Sequence, residues 1–254
     1  MYSIVTCRSV NILKENSFSK NELGFDLYKI DLLKYQEIIP HLINQLSYEE
    51  RDRANAFHFS KDKNRFIVCR SILKILLAKY TNTKISELIL EKNPDKKPFL
   101  ASHPYVQFNL SHSDEYALII ISQTPVGVDI EYVNKQFKFK DVFESVFSQT
   151  ECDEIINHQN PILRFYEFWT RKESIVKAIG KGIDENIVKI PANDGSHQIA
   201  YSIVNNIKHI NALSFQINDD YIGTIALTED IHINKIQFSY LPNPEELQLM
   251  IQRL

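Results

Sequence analysis

Two short stretches of the chain carry acidic and basic residues at spacings that suit chemistry on a phosphate ester. Residues 126–131 read VGVDIE, with apolar residues alternating with the others as in a strand. On such a strand Asp129 and Glu131 lie on one face, where neighbouring carboxylates repel each other unless a cation lies between them. The pattern is compatible with a metal site, although an Asp-x-Glu on a strand is more often a solvated surface.

The second stretch, residues 169–177, reads WTRKESIVK and predicts a helix. Trp169, Glu173 and Lys177 are spaced by four residues, so a helix places them on one face, one turn apart. A Glu–Lys pair at this spacing is usually a surface ion pair. Beside Asp129 and Glu131, Glu173 would instead add a third carboxylate to a site for a hard metal ion, with Lys177 available to phosphate oxygens.

In this order, the two stretches resemble the signature of the Sfp-type 4′-phosphopantetheinyl transferases, G-[VI]-D-[IVL]-E followed by W-[ST]-x-K-E-[SA]-x-x-K. Every fixed position is present. The resemblance implies an enzyme, a holo-[acyl-carrier-protein] synthase. Such an enzyme transfers the 4′-phosphopantetheine arm of coenzyme A to a serine of an acyl or peptidyl carrier protein and releases 3′,5′-ADP. The resemblance also implies a mixed α/β (α+β) fold of two similar halves in a pseudo-two-fold arrangement, with the active site at their interface.

The resemblance implies that Asp129, Glu131 and Glu173 bind Mg²⁺, with Mn²⁺ as an alternative. A serine hydroxyl needs a base to accept its proton. Glu173 is our first candidate for that base, and Glu151 is the second. Residues 148–151 read SQTE, a capping box that also gives Glu151 a structural explanation. Lys177 can hold the pyrophosphate or stabilise the leaving phosphate.

Residues 108–113 read FNLSHS and resemble the family's N-[LI]-S-H-S motif, which lies in its coenzyme A pocket. The resemblance places a set of basic and hydroxyl side chains around the nucleotide: Arg53, Arg65, Lys97, Ser111, His112 and Lys177. Without it, the arginines read as a solvated face and His112 as a turn residue. Two positions depart from the family: Asp114 stands at its usual glycine, and Glu50 stands where some relatives have lysine, for which Arg51 could compensate.

The composition is ordinary for a soluble globular protein, with 44 % hydrophobic and 24 % charged residues among 254. The net charge of −3 gives no reason to expect nucleic-acid binding. Cys7, Cys69 and Cys152 are far apart and fit neither a disulfide framework nor a zinc site, which indicates a reducing compartment. The sequence shows no signal peptide and no transmembrane run. We therefore expect a cytoplasmic protein that does not bind membranes, and we expect a monomer.

Residues 123–125 (QTP) form the best candidate linker. They divide the chain into an N-terminal half, 1–123, and a C-terminal half, 124–254. The resemblance implies that the first half contributes to coenzyme A binding and that the second carries the metal site and the catalytic helix. An internal similarity supports the division, because FNL at 108–110 leading to DEY at 114–116 is similar to FQI at 215–217 leading to DDY at 219–221. Hydrophobic periodicity predicts helices over 61–80 and 161–180. Predicted strands include 105–110, 116–122, 187–190, 199–204, 213–217 and 221–227.

The residues alone leave two other classes of function open. One is a metal-dependent hydrolase of coenzyme A-like esters. The other is a non-catalytic module that binds carrier protein or coenzyme A, which would have little need of a complete metal site. For carrier docking, residues 132–140 (YVNKQFKFK) leave the metal strand directly. Phe137 lies there among lysines, an arrangement that would suit an acidic partner.

Overall fold

The computed structural model describes residues 1–13, 24–182 and 184–253 of the chain. Its strands are β1 (Tyr2–Ser9), β2 (Asn11–Ile12), β3 (Phe25–Asp31), β4 (Leu90–Lys92), β5 (Pro98–Leu100), β6 (Gln107–Ser113), β7 (Tyr116–Ser122), β8 (Val126–Tyr132), β9 (Gly195–Ala200), β10 (His209–Asn218), β11 (Tyr221–Leu227) and β12 (Lys235–Ile236). Its α-helices are α1 (Ile39–Leu42), α2 (Tyr48–Asn55), α3 (Ser60–Thr81), α4 (Phe143–Val146), α5 (Gln149–Asn157), α6 (Pro161–Ile179) and α7 (Pro244–Arg253).

Two units with the same order of elements form the centre of the molecule. The first has the strand order β3-β7-β6, and the second has β8-β11-β10, extended by β1 and β9. In each unit a short helix with a capping box, α2 or α5, precedes a long helix, α3 or α6. The hairpins β6–β7 and β10–β11 contain the two similar segments that the sequence analysis paired. The predicted mixed α/β fold of two similar halves is therefore confirmed.

The two sheets pack face to face, with a long helix on each outer face. Strand β7 shows the alternation, because Ile119 and Ile121 pack with α3 while Leu118 and Ile120 face the other sheet. Strand β8 alternates in the same way, and its inner face consists of three fully or almost fully buried residues: Val126, Val128 and Ile130. Its outer face, with Gly127, Asp129 and Glu131, is directed towards α6. The predicted division of this strand into an apolar and an acidic face is confirmed.

The two ends of the chain are exchanged between the halves. β1 lies in the sheet of the second half, where Ile4 pairs with His209 of β10 in parallel. The C-terminal segment lies on the first half, where the Ser239 N–H donates to the Leu27 carbonyl at 2.7 Å and Leu247 is buried in the core around α3. The division into 1–123 and 124–254 stays a prediction, and the structure adds that each of these end segments packs on the opposite half.

Two predicted strands are wrong. Residues 187–190 fall in or just after a 3-10 helix, Glu185–Lys189, which begins where the Asp184 side chain accepts the Asn186 N–H. Residues 201–206 form a turn after β9, with Asn205 and Asn206 at positive φ, so the strand ends at Ala200 rather than at 204. No helix in the described part of the chain is both long and apolar enough to cross a membrane.

Candidate active site

The acidic face of β8 lies directly against the backbone of α6 because Gly127 has no side chain. A Cβ atom at this position would lie 1.9 Å from the Ser174 carbonyl oxygen and 2.5 Å from the Ala178 nitrogen. This close approach brings Asp129 and Glu131 beside Glu173 and Lys177, which point from α6 towards the same face. Helix α6 ends with Gly180 in the left-handed conformation, φ 76°, as a glycine C-cap.

Asp129 is buried and held by two donors. Lys177 Nζ lies 2.6 Å from its Oδ1, and the Ser111 hydroxyl of β6 donates to the same oxygen at 2.7 Å. Lys177 Nζ also donates to Ser111 Oγ at 3.0 Å, which closes a triangle of three groups. The other carboxylate oxygen, Oδ2, is buried without a hydrogen-bond partner. An orphaned buried carboxylate oxygen is costly unless another ligand completes it.

Glu131 and Glu173 share an unusual electrostatic state. Burial, and then the negative charge of Asp129, raise the pKa of each to about 7. Lys177 acts in the opposite direction on both, and hydrogen bonds from Ser113 and Trp169 also lower the pKa of Glu131. The two carboxyl groups can therefore change protonation state near neutral pH, which is the range in which a general base is most effective.

The donor set fits a hard divalent cation whose coordination is completed by other ligands. The carboxylate cluster of Asp129, Glu131 and Glu173 offers oxygen ligands, and the Oδ2 atom of Asp129 that lacks a hydrogen-bond partner is one of these oxygens. Among the described residues, no three acidic, histidine or cysteine side chains converge closely enough to hold a metal by themselves. Mg²⁺ is commonly bound through one or two carboxylates, substrate phosphates and water. A protein that supplies only part of the ligand set is therefore compatible with Mg²⁺.

Two of the predicted nucleotide-binding residues lie together beside this cluster. His112 is exposed next to Ser111, and its pKa is lowered by partial burial of the ring and then by the positive charges of Arg65 and Lys177. Arg65 comes from α3 and pairs with Asp62 at 2.5 Å. Arg53 lies with its guanidinium 5.1 Å from the ring centre of Phe66 and is exposed.

Lys97 lies away from the carboxylates of β8 and contacts backbone carbonyls instead. Its Nζ donates to three backbone carbonyls, of which Lys177 O at 2.6 Å is the nearest, followed by those of Val126 and Ala178. Burial lowers the pKa of Lys97 to about 8. The side chain thus caps the end of α6 from the opposite half, and its ammonium group is occupied by protein oxygens rather than directed at the carboxylate cluster.

Both carboxylate oxygens of Glu151 are engaged in contacts within the protein. One oxygen accepts the Ala192 N–H at 2.7 Å, while the other accepts the Ser148 N–H at 2.8 Å and pairs with Lys172 at 3.0 Å. Lys172 is fully buried and directed away from the carboxylate cluster, as expected from the helix. The structure therefore does not support the assignment of Glu151 as a catalytic base, because its carboxylate is committed to a buried ion pair.

The same arrangement recurs in the first half and explains the residue at which the chain departs from the family. Glu50 caps α2 and pairs with Lys74 of α3 at 3.1 Å, as Glu151 pairs with Lys172 of α6. Arg51 donates to the carbonyls of Leu46 and Asn44 at 3.0 Å each, so both its contacts are to local backbone. We find no support for Arg51 as a substitute phosphate ligand.

Two contacts of Glu131 were not anticipated. The Ser113 hydroxyl donates to Glu131 Oε2 at 2.9 Å, and the Trp169 side chain lowers the pKa of the same carboxyl group. Both residues lie within the motifs that the sequence analysis singled out, but a motif indicates only their positions on a hairpin and a helix. Their spacing relative to Glu131 depends on how β6, β8 and α6 meet.

Comparison with known proteins covers both halves of the chain. Residues 125–226 match the family model of the 4′-phosphopantetheinyl transferase superfamily, and residues 35–124 match that of the 4′-phosphopantetheinyl transferase N-terminal region. A Synechocystis protein, provisionally described as a 4′-phosphopantetheinyl transferase, is 28 % identical over 83 % of this chain and 90 % of its own length.

Two further relatives carry the same description. The 4′-phosphopantetheinyl transferase gsp of Aneurinibacillus migulanus is 32 % identical over 58 % of this chain and 63 % of its own length. The 4′-phosphopantetheinyl transferase HetI of Nostoc is 29 % identical over 62 % of this chain and 69 % of its own length. With both halves matched and the acidic cluster assembled between them, the chain belongs to the 4′-phosphopantetheinyl transferase superfamily.

Proposed function

We propose that this protein transfers the 4′-phosphopantetheine arm of coenzyme A to a serine of an acyl or peptidyl carrier protein, converting apo to holo carrier and releasing 3′,5′-ADP. The observation that carries the proposal is the meeting of Asp129, Glu131, Glu173 and Lys177 with Ser111 at the junction of the two halves. This set combines groups for a cation, a phosphate and a proton in one place.

Glu173 is the group that suits the base. Its carboxylate is nearly buried, its pKa is raised to about 7, and we find no hydrogen bond to it within the described residues. It is therefore free to accept the serine proton as the oxygen attacks the β-phosphorus of coenzyme A, directly or through a water. Lys177 lies one helical turn away and carries the positive charge that the departing phosphate needs.

Asp129 and Glu131, with Glu173, are the residues that would hold Mg²⁺ or Mn²⁺. When bound, such an ion supplies charge neutralisation of the pyrophosphate and orients it. Within the protein itself, Ser111 and Lys177 already fix one oxygen of Asp129 and leave Oδ2 open. The protein thus contributes a pre-oriented carboxylate, and substrate oxygens and water complete the site.

Arg65 and His112 are the best-placed groups for the nucleotide phosphates. They lie close enough for the charge of Arg65 to lower the pKa of His112, and His112 adjoins the triangle of Ser111, Asp129 and Lys177. A bound phosphate would relieve that repulsion and accept charge-assisted hydrogen bonds from both. Arg53 is a further candidate, because it lies on the ring of Phe66, the residue after Arg65.

The segment after β8 offers a surface for the carrier domain. Phe137 is 40 % exposed, and its ring rests against Phe165 and Tyr166 with centroids 5.6 and 6.2 Å away. Tyr132, at the end of the metal strand, is also exposed. A supported but exposed aromatic ring near lysines suits an acidic partner that must bring its serine to the adjacent site.

The test is incubation with coenzyme A, Mg²⁺ and an apo carrier protein, followed by intact-mass measurement of the carrier. We expect the carrier to gain one phosphopantetheine arm. Glu173→Gln should lower the rate about 10²- to 10⁴-fold, the usual range for a general base. Glu185→Gln, an exposed acidic position, is the control and should keep the rate.

Two outcomes would contradict the proposal. Release of phosphopantetheine into solution without carrier modification would identify a hydrolase. Binding of coenzyme A or of the carrier without either product would identify a non-catalytic module.

A further inference from the structure

Ser113, in the β6–β7 hairpin of the first half, forms hydrogen bonds to two residues of β8 in the second half. Its Oγ accepts the Tyr132 N–H at 3.0 Å and donates to Glu131 Oε2 at 2.9 Å. A hydroxyl carries a single proton, and the backbone N–H already approaches the acceptor side of this one. The proton of Ser113 is therefore committed to Glu131.

Trp169 reaches the same carboxylate from α6. Its indole N–H can only donate, and its effect on Glu131 is that of a donor, because it lowers the pKa of this carboxyl group. The ring is stacked on Phe165 with centroids 6.4 Å apart and an interplanar angle of 20°, and it packs against the core of the second half. The donor therefore has a fixed position, set by the packing of a large rigid side chain.

The carboxylates of the cluster differ in how they are held. Glu131 accepts a hydrogen bond from Ser113 of β6 and has its pKa lowered by Trp169 of α6, whereas we find no hydrogen bond to Glu173 in the described part of the chain. A carboxylate has about four acceptor positions, so two donors leave room for a metal ion on Glu131. Fixing of a ligand by outer partners is the usual means of orienting it towards a metal.

We propose that Ser113 and Trp169 are positioning residues that hold Glu131 in the orientation needed for the divalent cation. This inference rests on the proposed function, since it concerns the cation of that site. It assigns a task to the last serine of the S-H-S segment and to the tryptophan of the helix motif. Neither residue is placed in contact with substrate.

The experiment measures metal binding directly, with Mn²⁺ as the probe. Free Mn²⁺ is followed by electron paramagnetic resonance during titration of the full-length protein in the presence of coenzyme A. Ser113→Ala and Trp169→Phe should each weaken Mn²⁺ binding about tenfold or more, the scale seen when outer partners of metal ligands are removed. Ser113→Thr keeps the hydroxyl and should restore binding to near the wild-type value.

Ser122→Ala is the matched control, because it removes a buried hydroxyl from the same β6–β7 hairpin, one that donates to the Gly24 carbonyl at 3.1 Å. It should leave Mn²⁺ binding unchanged. Trp169 is the single tryptophan of the chain, so its fluorescence gives a second titration in wild type and in the serine variants. Quenching that saturates with Mn²⁺, and at about tenfold higher concentration in Ser113→Ala, would support the proposal.

The outcomes separate this inference from the function. A wild type that binds Mn²⁺ and modifies the carrier, with Ser113→Ala and Trp169→Phe binding Mn²⁺ within twofold of it, overturns the positioning role alone. A wild type that neither binds Mn²⁺ nor modifies the carrier overturns both. Equal loss of binding in Ser113→Thr and Ser113→Ala would also overturn the inference, because the hydroxyl would then have no part in it.

Discussion

At the residue scale, the central feature is the pair of carboxyl groups of Glu131 and Glu173, whose charged forms are destabilised in the folded protein. Burial and the charge of Asp129 favour the protonated forms of Glu131 and Glu173, and the charge of Lys177 opposes this effect on both. Sites of this kind sacrifice stability for function, since the groups are arranged for a cation or a substrate rather than for one another. The cost should be measurable as a pH-dependent stability.

Glu173→Gln should stabilise the metal-free protein at pH 8. A carboxyl whose pKa rises from 4.5 to about 7 on folding contributes stability that is full below its unfolded value and is lost as the pH rises through 7. Above that range the charged form costs up to about 3 kcal/mol, which glutamine avoids. Urea unfolding in a chelator should show the variant about 1–3 kcal/mol more stable at pH 8 and similar to wild type at pH 5. An equal difference at both pH values would contradict this electrostatic origin.

Glu151→Gln should act in the opposite direction. It removes the negative charge opposite Lys172, which is fully buried and whose other hydrogen bonds go to carbonyls, including that of Ile190 at 2.5 Å. Breaking a buried ion pair on one side typically costs about 3–5 kcal/mol. We expect a lower urea midpoint at both pH 5 and pH 8. A variant that keeps wild-type stability but loses phosphopantetheine transfer would contradict the structural role and would indicate that Glu151 acts in catalysis.

Phe137→Ala should raise the Michaelis constant for the carrier protein and leave that for coenzyme A nearly unchanged. The exposed part of the ring is available to a partner, while its inner edge contacts Phe165 and Tyr166. Steady-state kinetics with each substrate varied in turn measures the two constants. A matched variant, Tyr48→Ala, removes an aromatic ring that is 76 % exposed on α2 and should change neither constant. An unchanged carrier constant for Phe137→Ala would place docking elsewhere.

At the element scale, the site depends on how closely one strand and one helix approach. Gly127→Ala would place a methyl group against the backbone of α6, which cannot move as a side chain can. Such overpacking typically costs about 1–3 kcal/mol or more, and a shift of α6 would separate Glu173 from Asp129. We expect a lower melting temperature together with loss of transfer. Gly182→Ala, where an added Cβ meets nothing within 4 Å, should be nearly neutral.

The same element contacts show what the sequence could and could not reveal. The period of β8 and the spacing of Glu173 and Lys177 are local, so the acidic face and the helix face were predictable. The roles of Lys97 and Glu151 were not, because their partners are backbone carbonyls of a distant helix and a buried lysine. Charge in sequence does not reveal whether a side chain is committed to its own fold.

Pairing between distant segments limits prediction in the fold as well. A sequence pattern identifies β1 as a strand, but its parallel neighbour β10 lies almost at the other end of the chain. The strand predicted at 187–190 failed for a related reason. Ile187 and Ile190 are buried within and just after a 3-10 helix, and their carbonyls bind Lys172, a tertiary contact with no local signal.

At the scale of the whole molecule, the two halves should unfold together. Leu247 of α7 is buried among first-half residues such as Tyr35 and Ile38, whereas Trp169 lies in the second half. Leu247→Ala should destabilise the protein by about 2–5 kcal/mol through the cavity it leaves. We expect the unfolding midpoint reported by Trp169 fluorescence to fall by the same amount as that from far-ultraviolet circular dichroism.

Leu249→Ala is the control for this prediction, because it lies on the same helix but is 53 % exposed. It should shift the midpoint little. Separate transitions for fluorescence and circular dichroism in Leu247→Ala would mean that the halves are independent folding units despite their exchanged ends.

The exchanged ends have a consequence for biosynthesis. β1 emerges from the ribosome long before both of its neighbours in the sheet, β9 and β10. The Leu27 carbonyl of β3 likewise lacks its hydrogen bond from the Ser239 N–H until Ser239 has been synthesised. Until those later segments have been translated, the nascent chain carries unpaired strands, which are templates for association with other chains. Completion of both halves is therefore a late event, and protection of the growing chain against aggregation must last until the segment that contains Ser239 has emerged.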